Sequence, residues 1–234
     1  IGILLPALGA AREAARATQC LSTVRQIGIA TNVYATENRD RLPAAWSGNN
    51  GTNYGNGWIG TAERFHDALE SYVDAPRGDD ESFADFYWCP STNLPWNGTD
   101  EPKSTYSANV NVLMHFDRYN TPQTTPRLVR IDSILRPSEV IALGDANQAS
   151  ATVSGPIYTG QIDGWIYNNI GTLVNNPNDL LPIDGNIDTT GGGIPIGIRY
   201  RHNGDQSANH AYADGHGASS PIDSLQNKNL ATAY

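Results

Sequence analysis

Three sets of residues in this 234-residue chain have types and spacing that suggest chemistry. His202, Asp214 and His216 lie near the C-terminal end, where a hairpin could bring two imidazoles and a carboxylate onto one divalent cation. Asp184-Gly185-Asn186-Ile187-Asp188 has the alternating oxygen donors of the first half of a calcium loop, so Asp184, Asn186 and Asp188 are the calcium candidates. That candidate is weak. Thr189 stands where such a loop needs glycine, and no glutamate follows at the right distance. Asp145, Asp163 and Asp214 are weaker candidates of the same kind. Cys20 and Cys89 are 69 positions apart and fit no metal-ligand spacing. They read as a disulfide clamping a helix to the body, the alternative being two buried thiols. There is no HExxH, GxSxG or phosphate-binding loop, and no catalytic residue is assigned. The simpler reading of His202, Asp214 and His216 is hydrogen bonding that locks a hairpin, with Gly215 taking a left-handed turn.

The elements that must position these residues begin with an unusual one. Leu4, Leu8, Ala11, Ala15, Cys20, Val24, Ile27 and Tyr34 step mostly by three, four or seven, the spacing of one helix face. They predict one helix of roughly 35 residues, about three times the ordinary length, weakened from Asn38 to Asp40 and stopped by Pro43. The residues before Leu8 are apolar but too few to span a bilayer, which takes about 20. A start on Ile1 rather than methionine points to a longer apolar segment upstream.

Further along, Glu63–Tyr72 has helical spacing. Strands are expected at Phe83–Cys89, Thr105–Met114 and Ser138–Asp145. Leu128–Ile131 reads as a short element and Ile157–Ile170 as a strand or long loop. Ile194–Arg201 and Ser207–Asp214 read as a closing antiparallel pair around the turn His202-Asn203-Gly204-Asp205. One helix first and strands after is an α+β plan, with a spine helix over 1–42 and a β-rich head over 43–234.

Twenty-four acidic against 15 basic side chains leave a net charge of −9, which argues against nucleic acid as a partner because the sequence has no basic stripe to neutralise phosphates. Five tryptophans and 11 tyrosines in so polar a chain either staple loops to the core or face outward. In the second case Trp46, Trp58, Trp96 and Trp165 would make a carbohydrate-binding surface.

Several stretches carry a family likeness. The run from Leu5 to Ala30, LPALGAAREAARATQCLSTVRQIGIA, resembles the segment just after the cleavage and methylation motif of type IV pilin-like and type II secretion pseudopilin-like (prepilin-type) proteins. More narrowly, it is similar to the prepilin-like group abundant in planctomycetes. Cys89-Pro90-Ser91, Tyr106-Ser107-Ala108-Asn109, Arg136-Pro137-Ser138-Glu139 and the closing Arg201-His202-Asn203-Gly204, Ala208-Asn209 and Ala213-Asp214-Gly215-His216 are similar to the same group. The prepilin motif itself is not in this sequence, and eleven residues separate His202 from Asp214, more than in the group's pattern.

The resemblance implies a pilin-like fold: a long N-terminal spine helix followed by an antiparallel sheet domain with long loops. It implies a structural subunit of an extracellular filament, not an enzyme, with a precursor anchored in the inner membrane. Its partners would be copies of itself and other pilins or secretion-system subunits. Ile1, Ile3, Leu4, Leu5 and Leu8 would be the filament core contacts, Pro6 a helix bend, Cys20–Cys89 the clamp, and His202, Asp214, Gly215 and His216 the hairpin signature. Calcium is the one cofactor suggested, since pseudopilin-like proteins sometimes hold it in a C-terminal loop. The competing readings are the carbohydrate-binding module and a metal-dependent hydrolase built on His202, Asp214 and His216.

Overall fold

The computed structural model describes residues 4–45, 65–75, 85–92, 104–109, 111–113, 128–146, 175–181, 186 and 197–232. The expected long helix is present. Helix α1 runs from Leu4 to Glu37, 34 residues without interruption, about 50 Å at 1.5 Å per residue. It ends six residues before Pro43. Arg39 and Asp40 turn the backbone left-handed, with φ of 58° and 61°, and the Asp40 amide closes on the Ala35 carbonyl at 2.8 Å. Short polar residues stop this helix, and proline is not needed. Helix α2, Phe65–Val73, buries Phe65, His66 and Leu69 and packs on α1.

Among the described residues four strands form one antiparallel sheet in chain order: β1 (Tyr106–Ala108), β2 (Ile141–Asp145), β3 (Ser207–Tyr212) and β4 (Gly217–Pro221). The architecture is α+β, a long N-terminal helix against an antiparallel sheet. Alternation along β3 and just beyond it explains the layering. Ala211 and Ala213 belong to a core with Cys20, Val24, Ile27, Ala30 and Tyr34 of α1. Ala208 and Tyr212 belong to a second core with Leu181, Ile198, Tyr200, Leu225 and Leu230. The sheet is therefore a middle layer, with the helix on one face and the C-terminal segment on the other.

Close approach of α1 to the sheet depends on two glycines. A Cβ at Gly28 would stand 2.7 Å from the Ala211 Cβ, inside contact distance. Gly215, in the β3–β4 turn beside it, has φ of 88°, a conformation that favours glycine.

Three strand expectations are corrected. Asp85–Tyr87 is a 3-10 turn and not part of a strand; the chain curls there so that Tyr87 and Cys89 both point into the core. The strand expected over Thr105–Met114 stops at Ala108. Asn109 takes the next amides, its carbonyl accepting from Val112 and Leu113 and its Oδ1 from the Asn111 amide. The closing pair is different as well. Ser207–Tyr212 lies between β2 and β4, and Ile198 touches Ala146 only through an isolated bridge. The turn after His202 does form, with Asn203, Gly204 and Asp205 all at positive φ. It returns only as far as a His202–Ser207 bridge. Ile157–Ile170 lies outside the described residues.

Candidate functional site

Helix α1 divides into two halves. From Cys20 onward its buried positions fall at Cys20, Val24, Ile27, Thr31, Tyr34 and Ala35, each at most 4 % exposed, the spacing of one face against a sheet. Ahead of Glu13 the helix stands clear of the body. Pro6 through Arg12 are all exposed, and only Glu13 and Ala17 are partly covered. Leu8 is 60 % exposed. Leu8, Ala11 and Ala15 are exposed and lie more than about 100° around the helix from the line of Cys20, Val24 and Ile27, whose continuation toward the N-terminus is the partly covered Ala17 and Glu13. Pro6 sits in the first helical turn, where a missing amide costs no intrahelical bond. Ile1 and Ile3 lie outside the described residues, and the side chains of Leu4 and Leu5 are not described.

At the root of the projecting half the helix is fastened by polar and covalent ties. Cys20 and Cys89 form a disulfide, their Cα atoms 5.5 Å apart. Glu13 accepts a hydrogen bond from the Ser91 hydroxyl at 3.0 Å. The Asn209 side-chain amide donates to the Ala17 carbonyl at 3.1 Å, and that of Asn32 to Ala213 at 3.1 Å. Ser91 belongs to the Cys-Pro-Ser motif and Asn209 to the Ala-Asn motif, so these short motifs converge on one helix.

Beneath these ties is a buried charged cluster. Asp145, at the end of β2, is wholly buried. Its Oδ2 accepts from the Asn209 amide at 2.8 Å and lies 3.1 Å from His202 Nε2. A carboxylate can only accept, so Nε2 carries the proton. Arg201 Nε is 3.5 Å from Asp145 Oδ1, and its Nη2 donates to the Ala146 carbonyl. His202 Nε2 is 3.7 Å from Cys89 Sγ, and Nδ1 is 3.9 Å from Glu13 Oε1. A buried carboxylate is tolerated because a guanidinium, an imidazole and a backbone amide surround it. The neighbouring His210 is also buried. Burial pushes its pKa down to about 4, with His202 adding to the shift and Asp145 opposing it. Burial likewise raises the hydroxyl of Tyr106, which pairs with Asp145 across β1 and β2.

Among the described residues, this cluster has no solvent-facing side on which a substrate could be held. Asp145, His202, Cys20 and Cys89 are each at most 1 % exposed. His202 and Asp214 do not share a hairpin. His202 precedes β3 and Asp214 follows it, and the six-residue strand between them is about 20 Å long. Asp214 and Gly215 lie in the β3–β4 turn, where Asp214 Oδ1 is 2.6 Å from His216 Nδ1. The His216 ring stacks on Tyr212 at 4.3 Å. The signature therefore splits into a buried half at the helix root and an exposed half at the turn.

Of the three residues of the calcium-like loop only Asn186 is described. Its Oδ1 accepts from Arg199 Nη1 at 3.0 Å and from the Tyr200 amide at 2.8 Å, so the atom it would offer a cation is already engaged. Asp184 and Asp188 lie outside the described residues, as do Trp46, Trp58, Trp96 and Trp165.

Sequence reasoning gives Glu13 and Asn32 no role, names Arg201 and Asn209 only as parts of family-like motifs, and offers Asp145 only as a weak calcium donor. An acid ending an apolar strand, and an Arg-His pair ahead of an Ala-Asn, are the signals they left.

Residues 9–138, more than half of the chain, match the family described as Protein of unknown function (DUF1559). The chain belongs to the DUF1559 family. The DUF1559 match takes in α1 from Gly9, α2, β1 and the 3-10 turn at Ile131–Ser133; β2, β3 and β4 follow it. No curated protein and no solved structure matches the chain.

Proposed function

We propose that this DUF1559 protein is a structural subunit of an extracellular pilus-like or pseudopilus-like filament. The observation that carries this reading is the division of α1. One continuous helix is sealed against a sheet from Cys20 onward, whereas Pro6 to Arg12 are exposed on every side, the helix extending a further 16 residues from Cys20 to Leu4, about 24 Å. Bare apolar surface on a fixed, protruding helix is stabilised by burial against like helices, and repeated head-to-tail contacts of that kind build a helical polymer.

The resemblance of Leu5–Ala30 to prepilin-type proteins supports the same reading, and so does a disulfide, which persists in oxidising compartments. On this reading the partners are other copies of the chain and related subunits, the precursor is held at the inner membrane, and the role is mechanical and not catalytic. No helix among the described residues is long and apolar enough to cross a membrane.

The test uses the full chain produced in its own cell envelope. Negative-stain microscopy should show polymers for the unaltered protein and none for Leu8→Asp, with the head's thermal midpoint unchanged. Monomers from both proteins, or polymers from both, would overturn the assignment of Leu8 to the polymer core.

A further inference from the structure

The cluster at the helix root has a second use that the disulfide conceals. Cys20 Sγ, Cys89 Sγ and His202 Nε2 all lie within 4.8 Å of one another, and all three residues are buried. We infer that the reduced chain binds one thiophilic divalent cation, zinc being the fitting ion, through Cys20, Cys89 and His202, and that closing the disulfide expels it.

The distances support this set. With zinc–sulfur and zinc–nitrogen bonds of about 2.3 and 2.0–2.1 Å, a tetrahedral ion holds a thiolate and an imidazole nitrogen about 3.6 Å apart. Cys89 Sγ and His202 Nε2 are already 3.7 Å apart. Only the sulfurs must separate, to about 3.8 Å on the same geometry, which the absence of the S–S bond permits. Asp145 Oδ2, 3.1 Å from His202 Nε2, is an oxygen donor in reach of the fourth position. Behind the ring, Glu13 Oε1 stands 3.9 Å from Nδ1, where a carboxylate orients a metal-bound histidine. Arg201 beside Asp145 offsets the surplus negative charge.

The proton balance is simple. A newly made chain carries two thiols. Binding sends both thiol protons to solvent and moves the ring proton from Nε2 to Nδ1, toward Glu13. Oxidation by a disulfide-bearing oxidant passes two electrons from the two thiolates to it, forms the Cys20–Cys89 S–S bond and breaks the oxidant's own S–S bond, leaving a dithiol that takes two protons from solvent. The ion loses two ligands and departs. The cation thus holds α1 to the head before the covalent bond exists.

The experiment is a titration of the full chain, reduced with a phosphine, with zinc or cobalt(II). One equivalent should bind, with thiolate-to-cobalt charge-transfer absorption, and should be released on oxidation. His202→Ala should weaken binding by more than about 10-fold, the lower end of what an outer-shell partner alone contributes. X-ray absorption of the zinc-loaded unaltered chain should show two sulfurs and at least one imidazole, which keeps the test valid if the variant does not fold. No binding by the reduced chain, equal binding by a Cys20→Ser, Cys89→Ser chain, or a shell without sulfur or without imidazole would each overturn the inference.

Discussion

Buried polar side chains do much of the joining in this molecule. Asn109 is fully buried, and its side-chain amide bridges the Ile141 and Leu230 carbonyls at 2.8 and 3.1 Å, tying the sheet to the C-terminal segment. Asn209 and Asn32 do the same between sheet and helix. His210 gives this interior a pH dependence. Its pKa falls from an ordinary 6.5 to about 4 on folding, so the unfolded chain binds the proton more tightly. Its contribution to stability is complete above pH 6.5 and is lost as pH falls toward 4, up to about 3 kcal/mol. Asp145 and His202 are the titratable groups facing it, and their influences oppose each other. The urea midpoint should therefore be lower at pH 4.5 than at pH 7. A midpoint unchanged over that range would show that His210 is solvated when folded.

Among the elements, α1 was the most legible, because apolar residues recurring at steps of three, four or seven over so long a run, broken once between Ala15 and Cys20, fit little besides a helix. Strand β2 was legible as an apolar run ending in an acid. Strand β4 was not: Gly-Ala-Ser-Ser-Pro carries no apolar alternation, since an edge strand buries little. Without it, β3 was assigned the preceding segment as its partner. The Phe86-Tyr87 pair misled for a related reason, since aromatic residues fill a buried turn as readily as a strand. The site was legible in parts only. Its motifs stood out singly, but Glu13, Asp145 and His202 come from three distant stretches that only the packing of α1 on the sheet unites. Two tests belong to this scale. Leu8→Asp changes an exposed position, so it should alter head stability by no more than about 0.5 kcal/mol while abolishing polymers. Gly28→Val should cost about 1–3 kcal/mol, because its Cβ would meet Ala211 and the Gly215 carbonyl at 2.7 and 3.3 Å. Chemical denaturation reads both, and a neutral Gly28→Val would mean that the helix can ride higher on the sheet.

For the molecule as a whole, the Cys20–Cys89 bond closes a loop of 69 residues. In the chain-entropy picture that constraint is worth about 4 kcal/mol, a large share of the stability of any domain. Reduction in the presence of a chelator should lower the thermal midpoint by roughly 10 °C. A midpoint that did not move would show that the buried Asp145–His202–Arg201 contacts alone hold the helix root.

The position of that bond also sets a load path. Cys20 is the first wholly buried residue among those described along α1, at the point where the helix leaves the head. A pull on the free half of the helix meets the Glu13–Ser91 and Ala17–Asn209 hydrogen bonds and then a covalent anchor, ahead of the packed side chains behind it. Peeling α1 from the sheet under tension therefore requires breaking an S–S bond, and the helical turns in front behave as a tether bolted at its base.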